Sequence, residues 1–130
     1  MNDIQKAIYA KLTGSTSLMA LVSGVFDHVP PKQAMPYIVI GDDTAIDYDT
    51  DNSVGVEATC TIHIWSDYRG RSEAKKIMAA IYSLMHRQPM AIAGLTVIDV
   101  QCEYQEVGVD PDGLTRHGVM RFRVVTDKES

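Results

Sequence analysis

The sequence predicts an α+β fold: a two-layer sandwich in which an antiparallel sheet of about four strands carries two main helices packed on one face. Three observations lead there. From Val54 to Trp65 the chain alternates strictly, with Val54, Val56, Ala58, Cys60, Ile62 and Ile64 on one side and Glu57, Thr59, Thr61, His63 and Trp65 on the other. That two-residue period marks a half-buried strand. Farther on, Ala74, Ile77, Met78, Ile81, Leu84 and Met85 recur at helical spacing, with Glu73, Lys75 and Lys76 outside the stripe. Finally, two alternating runs flank the turn Asp110-Pro111-Asp112-Gly113 and read as a hairpin.

The elements follow in order. Asp3 can cap a first helix bearing Ile4, Ala7, Ile8 and Leu12 and ending near Thr13-Gly14. Ser15-Thr16-Ser17 offers a fresh cap before Leu18, Met19, Leu21 and Val22, a short helical turn stopped by Ser23-Gly24, or the continuation of one kinked helix. Val25 to Pro31 reads as an extended entry, because proline pushes the residue before it out of the helical region. Tyr37-Ile38-Val39-Ile40, bounded by Pro36 and Gly41, is a buried strand, and Asp42 to Ser53 is a loop. After the Val54–Trp65 strand, Ser66 to Gly70 turns into the long helix, which Gln88-Pro89 breaks. Leu95 to Glu106 is a strand with Ile98, Val100, Cys102 and Tyr104 on one face and Asp99, Gln101, Glu103 and Gln105 on the other. In the last strand Met120, Phe122 and Val124 point inward and Arg121 and Arg123 outward.

With 130 residues the chain has room for one core, so a single domain over 1–130 is expected. A net charge of −5 argues against a broad nucleic-acid footprint, which needs clustered Lys and Arg facing phosphates. No run approaches the roughly 18 apolar residues of a membrane span, and the first residues lack a signal peptide's regions, so the chain is expected to stay in the cytosol. Cys60 and Cys102 lie within strand patterns without metal-ligand spacing, which makes them reduced core thiols or, alternatively, a disulfide between neighbouring strands.

The face away from the helices carries Glu57, Thr59, Thr61, His63 and Trp65, then Gln101 and Glu103, then Val119, Arg121, Arg123 and Val125. An amphipathic sheet face and long strands suit contact with neighbouring subunits, since exposed β edges are otherwise a liability. Arg116, Arg121 and Arg123 can dock carboxylates across an interface, or pair within the chain with Glu57, Glu103 or Glu106. Arg69 and Arg71 flank Gly70 before the helix and are either a solvated helix start or one side of an intersubunit ion pair. His63 and His117 are read as surface or interface residues.

Catalytic signatures are missing. Asp47, Asp49 and Asp51 have alternating calcium-ligand spacing, but Asn52 stands where the turn glycine belongs and Ala58 where the bidentate acid belongs, so no EF-hand forms. No cofactor is expected. The segment with Asp42, Asp43, Asp47, Asp49 and Asp51 is otherwise a solvated, self-repelling connection. Ser66, Ser72 and Ser83 lack a nucleophile-elbow context. An enzyme or ligand binder would have to use the helix–sheet cleft, with Tyr37, His63 and His117 lining it.

Three blocks, Pro36-Tyr37-Ile38-Val39-Ile40-Gly41, His63-Ile64-Trp65-Ser66 followed by Arg71, Glu73, Ala74 and Lys75, and Asp110 to Gly118, occur in this order across the chain. Together they resemble the small tail-completion, or tail-terminator, proteins of long-tailed bacteriophages and prophages. The resemblance implies a non-enzymatic protein that forms a ring, a hexamer, at the head-proximal end of the tail. Its implied partners are copies of itself, the tail-tube protein and the head connector, with assembly in the host cytoplasm. The hairpin holding Asp110, Asp112 and Arg116 would be a structural hallmark. In a ring the five aspartates would form a rim or lumen that repels passing DNA. A monomeric adaptor binding a virion protein by strand addition keeps the same fold.

Overall fold

A computed structural model describes residues 2–47, 55–92 and 94–128. The elements are α1 (Asn2–Thr13), α2 (Thr16–Met19), β1 (Val25–Phe26), β2 (Tyr37–Asp47), β3 (Gly55–Ser66), α3 (Ser72–Met85), β4 (Leu95–Val109) and β5 (Arg116–Lys128). They form the expected α+β arrangement, with a five-stranded sheet ordered β1-β2-β3-β5-β4. The fifth strand is the segment read as an extended entry: Val25 and Phe26 pair parallel to Ile38 and Val39, which makes the sheet mixed. Hydrogen bonds from Ser23 N–H to the Pro36 carbonyl (2.8 Å) and from Ile38 N–H to the Gly24 carbonyl (3.1 Å) stitch this edge. Any Cβ at Gly24 would meet the Phe26 ring at 2.6 Å, which is why glycine precedes the strand.

The helices are two separate elements at the start. Ser15 accepts a hydrogen bond from Leu18 N–H (3.2 Å) and opens α2, while Asp3 lies inside the first turn of α1 rather than capping it. The α3 stripe packs as predicted, with Ala74, Ile77, Met78, Ile81 and Met85 buried. α3 ends at Met85, ahead of Gln88-Pro89, where Arg87 turns left-handed (φ 57°). Arg87 N–H donates to the Val100 carbonyl (2.7 Å) and Cys102 N–H to His86 Nδ1 (3.0 Å), fastening the helix end to β4.

β2 runs well past Ile40. A bulge between Gly41 and Thr44 absorbs Asp42 and Asp43, after which Thr44 to Asp47 pair with Thr59 to Val56. Much of the predicted loop is therefore strand, because cross-strand pairing overrides the poor strand preference of aspartate. Asp49, Asp51 and Val54 lie outside the described residues, as do the side chains of Asp42, Asp43 and Asp47.

The core lies between the sheet and the helices, and the register sorts it into rows. Ile38, Ile64, Gly118 and Val107 form one row; Cys60, Phe122 and Cys102 form another; Ala58, Val124 and Val100 a third. Neither Cys60 nor Cys102 is in a disulfide. They cannot form the alternative disulfide, because β5 and the Phe122 ring stand between them and strands separated by one neighbour lie roughly 9–10 Å apart. Burial raises the pKa of Cys102 above that of a free thiol.

Candidate interaction surface

The second face of the sheet bears side-chain rows that cross β2, β3, β5 and β4. They are Tyr37–Trp65–His117–Gly108, Val39–His63–Val119–Glu106, Gly41–Thr61–Arg121–Tyr104 and Thr44–Thr59–Arg123–Gln101. Of the interface residues predicted on β3 and β5, Glu57, His63, Trp65, His117, Arg121 and Arg123 come together here, while Arg116, at the start of β5, alternates to the other side. His117 stacks on Trp65 with ring centroids 3.8 Å apart and planes 7° apart, and its Nε2 lies 2.8 Å from His63 Nδ1. Phe26 meets the Tyr37 ring edge-on (6.1 Å, 79°), extending the aromatic row to the β1 edge. Most of the face is half-buried, and Thr61 and Val125 are buried.

Arg123 is paired within the chain. Its Nε donates to Glu57 Oε1 at 2.7 Å, and that hydrogen bond holds the Glu57 carboxyl below the usual carboxylate range. Arg121 sits over the Tyr104 ring, 5.2 Å from its centroid. Tyr104 donates its hydroxyl to Glu106, and this bond raises the phenol pKa by favouring the protonated form.

Tyr104 corrects the reading of β4. Bulges between Val97 and Asp99 and between Cys102 and Tyr104 each shift the strand by one residue. The first leaves Ile98 exposed, and the second moves Tyr104 to the open face and makes Glu103 an exposed bulge residue without a partner strand position. The signal is present in the sequence: the apolar phase is odd at Leu95 and Val97, even at Val100 and Cys102, and odd again at Val107 and Val109.

Asp110 and Asp112 close the hairpin instead of facing outward freely. Asp112 accepts from Leu114 N–H and Thr115 N–H (both 2.8 Å) and from the Thr115 hydroxyl (2.6 Å); Gly113, at φ 73°, lets the turn form. The Thr115 hydroxyl, ahead of the two backbone donors, lowers the Asp112 pKa. This stabilisation is present above the unfolded-state value and lost as pH falls through the folded one. Asp112→Asn is therefore expected to lower the thermal midpoint at neutral pH, with the difference from wild type vanishing well below about pH 4, where both chains are neutral at 112. Arg116 folds back on the same turn, donating to the Leu114 carbonyl (2.5 Å).

His117 titrates low. Burial is the main cause and His63 adds to it, against the opposing pull of Asp110, whose Oδ1 lies 3.9 Å from Nδ1, and of Glu106. The folded state resists protonation, so stability falls as pH drops through the unfolded value of about 6.5 and the loss is complete below the folded one. Trp65 is the chain's single tryptophan. Its emission is expected to change with a midpoint below about pH 6.5, and His117→Gln should remove that transition.

Arg69 and Arg71 do not join this face. They are exposed on either side of Gly70 (φ 86°), with Arg71 at the α3 N-cap, and make no ion pair among the described residues. Nor do Tyr37, His63 and His117 line the helix–sheet cleft: alternation places them on the opposite side of the sheet. The cleft, about 750 Å³, is bounded by Arg71, Lys75, Met78, Tyr82, Glu106 and Val107. Among the described residues no group of three His, Cys, Asp or Glu is placed to share a metal ion, and no helix is long and apolar enough to cross a membrane.

On this face His63 meets His117, Arg123 pairs with Glu57 and Tyr104 with Glu106, so much of its polar chemistry is turned inward on itself. The chain belongs to the tail completion protein gp17 family, which it matches over residues 6–127. It is 29% identical over 120 residues to tail completion protein gp17 of Bacillus phage SPP1, covering 92% of this chain and 89% of that protein. The solved structure of bacteriophage SPP1 gp17 superposes with a TM-score of 0.66 at 26% identity, over 99% of this chain and 90% of that one. A chain of the virion of a native gene transfer agent particle superposes with a TM-score of 0.87 at 22% identity, over 95% and 93%, a likeness of fold. The protein is accordingly a structural component of bacteriophage tail completion and not an enzyme.

Proposed function

We propose that the chain, acting as one domain, assembles as a hexameric ring that caps the tail tube at its head-proximal end and presents the surface the head connector binds. The observation that carries this beyond family membership is the β4–β5 hairpin. Its end exposes Leu114 (70%) and Val109 (43%) on a turn that Asp112 locks with three accepted hydrogen bonds. A preordered apolar knob loses little entropy on docking. Arg69, Arg71 and Glu103, exposed and without ion pairs among the described residues, are available for contacts with the tube or connector. Asp42, Asp43, Asp47, Asp49 and Asp51 would repel passing DNA, and an Asp-to-Asn variant that assembles and ejects DNA normally would remove that role.

The test adds purified protein to tail tubes assembled without it, in the host-cell cytoplasm or in vitro, and images them by electron microscopy. Density at one tube end, with a fixed number of copies by mass measurement, is the expected result. Tubes whose ends stay bare would overturn the capping reading. Leu114→Asp should weaken end-binding while leaving the fold intact, as read by circular dichroism.

A further inference from the structure

β4 is the outer strand of the sheet, and its outer edge is only partly covered. At Val100 and Cys102 the outward backbone groups bond to Arg87 and His86 at the end of α3. Alternation, carried through the bulge opposite Arg121, then turns the N–H and C=O groups of Gln105, Val107 and Val109 outward. Among the described residues no strand or helix backbone meets them. Beside this bare stretch lies the cleft of about 750 Å³, its floor formed by Met78 and Val107 and its rim by Arg71 and Lys75. An unpaired strand edge with a side-chain groove alongside is the requirement for strand addition.

The opposite side of the sheet has a matching bare edge. β1 covers only Ile38 and Val39, leaving β2 uncovered from Ile40 to Asp47 among the described residues. That edge holds Asp42, Asp43 and Asp47, opposite in sign to Arg71 and Lys75. Polarity also matches. Successive antiparallel pairings make β2 and β4 antiparallel within one subunit. A copy related by rotation about an axis along the strands therefore brings its β2 antiparallel to this β4. Contacts between two different edges are heterologous and close into rings when the rotation closes.

We infer that the outer edge of β4 at Gln105–Val109, with the groove beneath α3, is the seat for the β2 edge at Ile40–Asp47 of a second copy, joining the sheets of adjacent subunits. This inference rests on the ring reading and names its subunit contact. The experiment measures amide hydrogen exchange, by mass spectrometry of peptides, on the free protein and on protein bound to tail tubes. Expected is at least a tenfold slowing in both 103–109 and 40–47 on binding. In parallel, Val107→Pro removes one outward donor without touching the β4–β5 ladder, and should stay folded yet fail to assemble.

Protection in the bound form that spares both segments, or a Val107→Pro chain that assembles normally, overturns the edge contact and leaves the ring standing. Protection of 103–109 without 40–47 overturns the second copy as occupant and points to a strand from another tail protein. A chain that meets neither tubes nor itself overturns both readings.

Discussion

Phe122→Ala is expected to destabilise the protein by about 3–5 kcal/mol, the range for emptying a fully buried aromatic site. Phe122 is fully buried and sits on β5, the strand with neighbours on both sides that joins β3 to β4. Its row partners are Cys60 and Cys102, both small, so the ring fills space that neither neighbour can reclaim. A domain with a total stability of roughly 5–15 kcal/mol would be left marginal. Urea unfolding at 25 °C measures the loss. A change under about 1.5 kcal/mol would mean that the three strands close over the vacancy. The hairpin and the open face are expected to fail together in this variant, because both hang from β5.

Gly118→Val is the second large effect, with an expected cost of about 1–3 kcal/mol from overpacking. Any Cβ at 118 would stand 2.8 Å from Met78 Sδ and 3.4 Å from Ile64 Cβ. The glycine is what lets α3 lie this close to β5, so the demand is one of space and not of backbone conformation. Met78 can swing its flexible end aside for alanine more readily than for valine, so Gly118→Ala should cost less. Pairing Gly118→Val with Met78→Ala should recover part of the loss, and thermal unfolding of the four chains gives the coupling. Additive losses would show that the clash is relieved elsewhere.

Much of this arrangement was legible residue by residue. The alternation along β3 placed Cys60, Ile62 and Ile64 inward and Glu57, His63 and Trp65 outward, and the helical stripe of α3 was read with only Leu84 less than fully buried. The Asp110–Gly113 turn was read from its residue types, since Pro at the second position and Gly at the fourth suit such a reversal. The three sequence blocks pointed to the tail-completion family that the comparisons show. The parts that were misread share a cause: β1 has only two residues, β2 is carried across two aspartates by a bulge, and β4 changes phase at Ile98 and Glu103.

The partners of the outward side chains belonged to a different level. Arg123 was equally a candidate for a neighbour's carboxylate and for Glu57, and only the register that sets Thr59 opposite Arg123 brings Glu57 within 2.7 Å. The Arg121–Tyr104 contact needs the bulge at Glu103, and the His63–His117–Trp65 stack needs β3 beside β5. By itself the sequence determined the α3 helix and the β3 and β5 strands and which side of each is apolar, because side-chain period is a local property of the backbone. Strand order, the parallel edge at β1 and the pairing of charges across the face were decided by tertiary structure, because they depend on which distant segments share a register, and a single bulge exchanges the two faces beyond it.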